Sequence, residues 1–266
     1  MGEAEADRLI AGAEAAADAA GAAIRPYFRS RLAIERKGDL SPVTIADRAA
    51  EQAMRAVLAK RFPEHGIFGE ELAAERPDAR LRWVLDPIDG TRAFITGRPI
   101  FGTLIGLLDG DRAVLGLIDQ PVTGERWIGA AGRPTRFRGP LGGIAGCRSC
   151  PSLAEAELSC TTPDMLGEAE LPRWRRLAGA VCRVSWGGDC YAYGLLALGQ
   201  IDLIAESDLK LWDWAALLPV VEGAGGRMTD WDGRALSPLA ATSAAYRVLA
   251  VGDPALLPQA AALLAN

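Results

Sequence analysis

The sequence predicts a layered protein that combines an α+β half with an α/β half. Three observations predict it. Phe101 to Ala131 reads strand, turn, strand, turn, strand, which is an antiparallel meander. After Gly146 the rhythm changes to strands alternating with helices, the mark of a layered α/β arrangement. The chain has 266 residues, 50% of them hydrophobic, ample for a sizeable core. The division falls at the Gly-, Pro- and Arg-rich stretch 133–146, giving an N-terminal half over 1–145 and a C-terminal half over 146–266.

Residues 3–29 read as a helix, with Leu9, Ala13, Ala17, Ala20, Ile24 and Phe28 near one face. Leu32, Ile34 and Arg36 alternate as a short strand does, and Gly38-Asp39 turns the chain. Ser41 to Lys60 follows as a helix, with Thr44 placed to cap it and Asp47 in its first turn, where a carboxylate favours the helix dipole. Ile67-Phe68-Gly69 is an apolar step ending in Glu70-Glu71. Phe101 to Leu108 and Ala113 to Ile118 flank the hairpin turn Asp109-Gly110, and Arg126 to Ala130 returns after a turn at Pro121 to Gly124. Arg133 to Gly146 is expected to be a mobile loop or a boundary.

In the second half, strands are expected at 156–160, 181–185, 201–205, 227–229 and 246–251. Helices are expected at 168–177, 191–198, 212–222 and 254–264. Asp213 stands where an N-cap belongs, and Pro219 is expected to kink its helix. The exit Gly223-Ala224-Gly225-Gly226 implies close approach of another element.

The stretch that carries chemistry is Trp83-Val84-Leu85-Asp86-Pro87-Ile88-Asp89-Gly90-Thr91. A buried strand is expected to stop at Pro87, which has no ladder donor. Gly90-Thr91 then opens a short helix. Two acids beside a helix start can hold hard divalent cations through oxygen, and the free N–H groups suit a phosphate. If the strands of Glu70 and Asp86 are neighbours, both acids reach one end of a sheet.

Composition excludes several alternatives. The net charge is −5 with scattered basic residues, so no nucleic-acid surface is indicated. No run approaches the ~18 to 20 apolar residues of a membrane span. Met1 to Asp7 carries three acids and no base, unlike a signal peptide, and a cytoplasmic location is expected. The five cysteines, an odd number, are expected as free thiols, and Cys147 and Cys150 lack the second pair of a zinc site. His65 is the single histidine, so acid–base work falls to carboxylates, hydroxyls or water activated by a metal.

Gly69-Glu70-Glu71, Asp86 to Thr91, Trp212-Asp213 and Glu222 to Gly226 together resemble the inositol-monophosphatase-like family of Mg²⁺-dependent phosphatases. Thr91 to Gly97, Gly102 to Gly106 and Gly187-Gly188-Asp189-Cys190-Tyr191-Ala192-Tyr193 resemble its bacterial histidinol-phosphatase subgroup. Trp212 departs from the tyrosine of that subgroup and resembles the inositol-phosphatase form.

The resemblance implies a five-layer α-β-α-β-α sandwich of the inositol-monophosphatase/fructose-bisphosphatase type, usually a homodimer, with two or three Mg²⁺ per site. Glu70, Asp86 and the Ile88 carbonyl match ligands of one ion; Asp86, Asp89 and Asp213 match those of another. Gly90 and Thr91 match the phosphate donors, Asp47 and Thr91 the pair that activates the attacking water, and Glu206 a contact to the alcohol of the substrate. Asp189 and Glu206 are acids available to the cationic groups of histidinol, and Trp186 is available to stack on its ring; Asp189 as a helix cap and Trp186 as packing are the alternatives. The expected reaction is hydrolysis of L-histidinol phosphate, with inositol 1-phosphate, 3′-phosphoadenosine 5′-phosphate or a sugar bisphosphate as alternative substrates. A non-catalytic metal-binding relative is the alternative from another class.

Overall fold

A computed structural model of the chain describes residues 2–30, 35–36, 42–238 and 245–265. In chain order it contains α1 (Glu3–Ile24), β1 (Glu35–Arg36), β2 (Pro42–Val43), α2 (Ile45–Arg61), β3 (Gly66–Gly69), β4 (Leu81–Asp89), α3 (Thr91–Ile95), β5 (Gly102–Asp109), β6 (Arg112–Gln120), β7 (Glu125–Ala130) and β8 (Arg133–Arg138). The second half follows with β9 (Glu157–Cys160), α4 (Glu170–Ala178), β10 (Arg183–Trp186), α5 (Asp189–Leu196), β11 (Leu203–Leu209), α6 (Leu211–Trp214), α7 (Leu217–Gly223), β12 (Arg227–Thr229), β13 (Tyr246–Val251) and α8 (Leu256–Leu264). No helix among the described residues is long and apolar enough to cross a membrane.

Two sheets organise the molecule. One has six strands in the order β3-β4-β5-β6-β7-β8, the other five in the order β10-β9-β11-β13-β12. Side chains alternate across β4 to β7, so each strand feeds two cores. Trp83, Leu85, Ile105, Leu107, Leu117 and Ile128 pack against α1 and α2. Val84, Leu104, Ile118 and Trp127 face the other way and meet α5, α6, α7 and the Ile204, Val248 and Ala250 face of the second sheet. Leu203, Ala205, Leu249 and Val251, on the far face of that sheet, pack on α4 and α8. The layers are therefore α-β-α-β-α, as the family resemblance implies.

The middle layer sits unusually close to the first sheet. Gly106, Gly116 and Gly129 are paired in register across β5, β6 and β7. A Cβ at Gly116 would lie 1.8 Å from the Ala216 carbonyl oxygen, and one at Gly129 would lie 2.1 Å from that of Pro219. This row of glycines is a groove in which the link from α6 to α7 and the first turn of α7 rest. At the far end, a Cβ at Gly223 would lie 2.5 Å from Thr135 Oγ1, which bears out the close approach expected of that glycine-rich exit.

Several local expectations need correction. β4 does not stop at Pro87 but runs on to Asp89, with a register shift against β5 between Asp86 and Asp89. The irregularity tolerates the missing proline donor, and the Pro87 carbonyl accepts the Thr103 hydroxyl at 2.8 Å. Residues 133–138, expected in a loop, form β8, held by β7 on one side. The helix expected over 212–222 is two helices, broken at Ala215-Ala216 over the glycine groove, with Pro219 near the start of the second. The strand expected at 201–205 begins at Leu203 and extends to Leu209, which puts Glu206 within it. Leu32, Ile34 and the Gly38-Asp39 turn lie outside the described residues.

Candidate active site

The acids of the first half converge because of strand pairing. β3 and β4 are parallel, with Gly69 opposite Leu85, so Glu70 emerges beside Asp86 at one end of the sheet. The Glu70 N–H donates to the Leu85 carbonyl at 3.2 Å, which ties the two strand ends together. The bulge turns Asp86 and Asp89 to a common side. Asp86 is 2% exposed and accepts the Ile88 N–H at 3.0 Å. Asp89 accepts the Cys190 N–H at 2.6 Å. Asp213 arrives from the second half on α6. It is the third helical residue rather than the expected N-cap, and it reaches back to accept the Lys210 N–H at 2.6 Å.

One oxygen each from Asp86, Asp89 and Asp213 lies within 4.8 Å of the others, the one such grouping among the described residues. Burial pushes the carboxyl of Asp86 well above its ordinary range, and Glu70, Asp89 and Asp213 add repulsion. Asp89 is raised in the same way, by burial and then by Asp189 and Asp213. Asp213 is pushed up to about 7 by burial, with Glu70 and Glu206 adding to it. Crowded, buried carboxylates of this kind call for a cation. The donors are all oxygen, which fits a hard ion such as Mg²⁺. Asp86, Asp89 and Asp213 would hold it, with Glu70 and the Ile88 carbonyl on the flank.

Gly90 precedes α3 with φ +86°, and a Cβ there would lie 2.8 Å from the Asp189 carboxyl carbon, so two separate constraints demand glycine. The Thr91 hydroxyl donates to the Ile88 carbonyl at 3.2 Å. The Asp47 carboxylate accepts the Thr44 N–H at 2.8 Å and the Thr44 hydroxyl at 2.5 Å, in a capping box. Asp47 and Thr91 thus make separate bonds in this structure rather than a direct one to each other. Burial raises Asp47 above the usual carboxylate range, and Glu70 adds to the effect, which makes Asp47 a stronger base than an exposed aspartate.

Beyond the acids lies a cavity of about 100 Å³, lined in part by Asp89, Thr161, Asp189, Tyr193, Glu206 and Asp213. Glu206 is buried on β11 and accepts the Thr161 N–H at 2.7 Å and the Tyr193 hydroxyl at 2.8 Å. Burial nonetheless lifts its pKa. Asp189 opens α5 with φ +45°, donates its own N–H to the Thr161 hydroxyl at 3.2 Å, and follows Gly188 at the cap position. Its carboxyl faces the cavity, not the helix. Burial and Glu206 raise it to about 6, against the pull of Arg98 and Arg92.

Trp186 does not line this cavity. It is 49% exposed and its ring packs on Trp174 with centroids 4.7 Å apart, which is what its packing alternative calls for. Thr161 and Tyr193 line the cavity, and the charge of the exposed Arg98 acts on Asp189. Tyr193 was within reach, since it closes the Gly187 to Tyr193 block. Thr161 and Arg98 carry no local signal.

The inositol monophosphatase family model matches residues 5–266. The chain is 46% identical to the Arabidopsis thaliana bifunctional phosphatase IMPL2, chloroplastic, over 98% of this chain and 76% of that one. It is 37% identical to a histidinol-phosphatase of Mycobacterium tuberculosis, over 76% and 79% of the two chains. The solved structure of an inositol monophosphatase from Zymomonas mobilis superposes with a TM-score of 0.87 at 47% identity, covering 99% of both chains. With its acids gathered at the sheet ends and nearly its whole length matched, the chain belongs to the inositol monophosphatase family.

Proposed function

We propose that the protein is a Mg²⁺-dependent phosphatase that hydrolyses L-histidinol phosphate to L-histidinol and phosphate. The observation that carries the substrate is the acidic cavity: a buried Glu206 and a part-buried Asp189 stand on its wall, next to Gly90 and the metal-ligand acids. An alcohol bearing an amine and an imidazole supplies the positive charge that such a wall lacks. The likeness to histidinol-phosphatases at 35–37% identity supports the same reading.

The chain's own groups divide the work. When bound, Mg²⁺ offsets the phosphate charge and acidifies the attacking water. Gly90 and Thr91 orient the phosphoryl oxygens through their N–H groups. Thr91 Oγ1 accepts a hydrogen bond from the attacking water and passes its own hydroxyl proton to the Asp47 carboxylate, which ends as the acid; for this the Thr91 hydroxyl turns from the Ile88 carbonyl toward Asp47. Glu206, fixed by Thr161 and Tyr193, holds the alcohol, and Asp189 pairs with its cationic part. The same proposal takes the enzyme as a cytoplasmic homodimer.

A second reading, an inositol-phosphate phosphatase, is favoured by Trp212, which stacks on Phe68 with centroids 5.7 Å apart, and by the Zymomonas mobilis likeness. Phosphate release with Mg²⁺, measured side by side on L-histidinol phosphate and myo-inositol 1-phosphate, decides between them. The expected result is a large preference for histidinol phosphate; equal rates or the reverse preference would overturn the substrate assignment.

A further inference from the structure

Glu51 is a buried charge with no part in the site as described so far. It lies on α2, one turn beyond Asp47, and is fully buried. Its Oε1 accepts Arg55 Nε at 2.8 Å and the Leu72 N–H at 3.2 Å, and its Oε2 accepts the Glu71 N–H at 2.8 Å. Arg55 in turn donates to the Leu72 carbonyl at 3.1 Å and to Glu75 at 3.0 Å. Carboxylate and guanidinium together grip both backbone faces of the turn that follows β3. Glu70 is inside that turn. Gly69 is what lets the carboxylate in: a Cβ there would lie 2.1 Å from Glu51 Oε1.

We propose that Glu51, locked by Arg55, is a positioning residue that fixes Glu70 for the metal and so sets the Mg²⁺ affinity of the site before any substrate arrives. The proposal rests on Glu70 being a metal ligand. A turn free to hinge would have to be ordered at the moment the ion binds, and that ordering is subtracted from affinity. Held in advance by three charge-assisted bonds, Glu70 enters the site already oriented.

The test titrates Mg²⁺ alone into the metal-free full-length protein by calorimetry, with thermal unfolding recorded alongside. Glu51→Gln keeps the shape but loses the charge and half the acceptors. It is expected to weaken Mg²⁺ binding by about tenfold or more, the usual effect of removing a partner behind a ligand. Arg55→Lys keeps the charge, loses the fork and is expected to weaken binding less; it decides the question if Glu51→Gln does not fold. Glu75→Gln, whose side chain meets the outer end of Arg55 and Arg76 and makes no bond to Glu51, is expected to bind as wild type. Wild-type Mg²⁺ affinity in a folded Glu51→Gln or Arg55→Lys variant, even with a lower Tm, overturns the positioning role. Wild-type affinity in Glu70→Gln overturns the ligand assignment beneath it, a separate failure.

Discussion

The metal side and the alcohol side of the site are built differently. Asp86 and Asp89 lie on one strand and Glu70 ends the strand beside it, and Asp86 and Glu70 are anchored by backbone bonds within or next to their own elements. The alcohol side is assembled from distant pieces: Thr161 reaches Glu206 across 45 positions, and Asp189 reaches Thr161 across 28. The first arrangement makes a charge cluster that must be rigid whatever the substrate. The second makes a wall whose members can be exchanged one at a time, which is where the proposed function has substrates told apart.

That contrast is open to attack, and the largest effect is expected on the metal side. Asp86→Asn should reduce kcat by about a thousandfold or more at saturating Mg²⁺, on every phosphomonoester alike. A loss confined to one substrate would erase the distinction. Gly116→Ala drives a methyl into the Ala216 carbonyl and should cost about 3 kcal/mol in urea unfolding, the upper range for overpacking. Thr91→Ala should lower kcat by about a hundredfold while leaving calorimetric Mg²⁺ binding intact, as expected for loss of a proton-accepting group.

On the alcohol side the effects should be smaller and substrate-dependent. Asp189→Asn should raise KM for L-histidinol phosphate by about tenfold, the worth of one charge-assisted bond, with little change for myo-inositol 1-phosphate. The same variant reads the burial of the group. The Asp189 carboxyl is raised in the folded state to about 6, by burial first and Glu206 second, so its contribution to stability is fully present at low pH and is lost as pH rises through 6. Metal-free Asp189→Asn should therefore be more stable than wild type in urea unfolding at pH 8, by up to about 2 kcal/mol, with the advantage vanishing below pH 4. A constant difference across pH would mean the carboxyl is not buried as described.

What could be read from sequence follows the same division. Asp86, Pro87, Asp89 and Gly90 are adjacent, and their chemistry shows in the spacing alone. Glu70 could be placed beside Asp86 because a short apolar run before an acid implies a strand end. The ligand role of Asp213 comes from the family resemblance, and its cap role shows in the sequence one way and in the fold another, at the third helical residue and not at the N-cap, since an acid in the first turn can serve from either of two positions. The path of β4 beyond Pro87 was hidden because a bulge is set by the partner strand, which the local pattern does not contain. The contact of Trp186 with Trp174 is hidden for a related reason: an aromatic residue beside a motif does not reveal which way its ring turns. Glu51 and Thr161 act through contacts with remote backbone, and no periodicity marks such residues.

The row Gly106, Gly116 and Gly129 bears on how this protein can be recombined. Asp213 belongs to the second half of the chain, yet the backbone just after it is seated on bare main chain from the first half. A groove without side chains offers no interchangeable contacts, only a shape. A chimera that joins this N-terminal half to the C-terminal half of a relative inherits a working third acid only if the incoming helix pair breaks at the same position. The modularity that two separate sheets suggest ends at three hydrogen atoms.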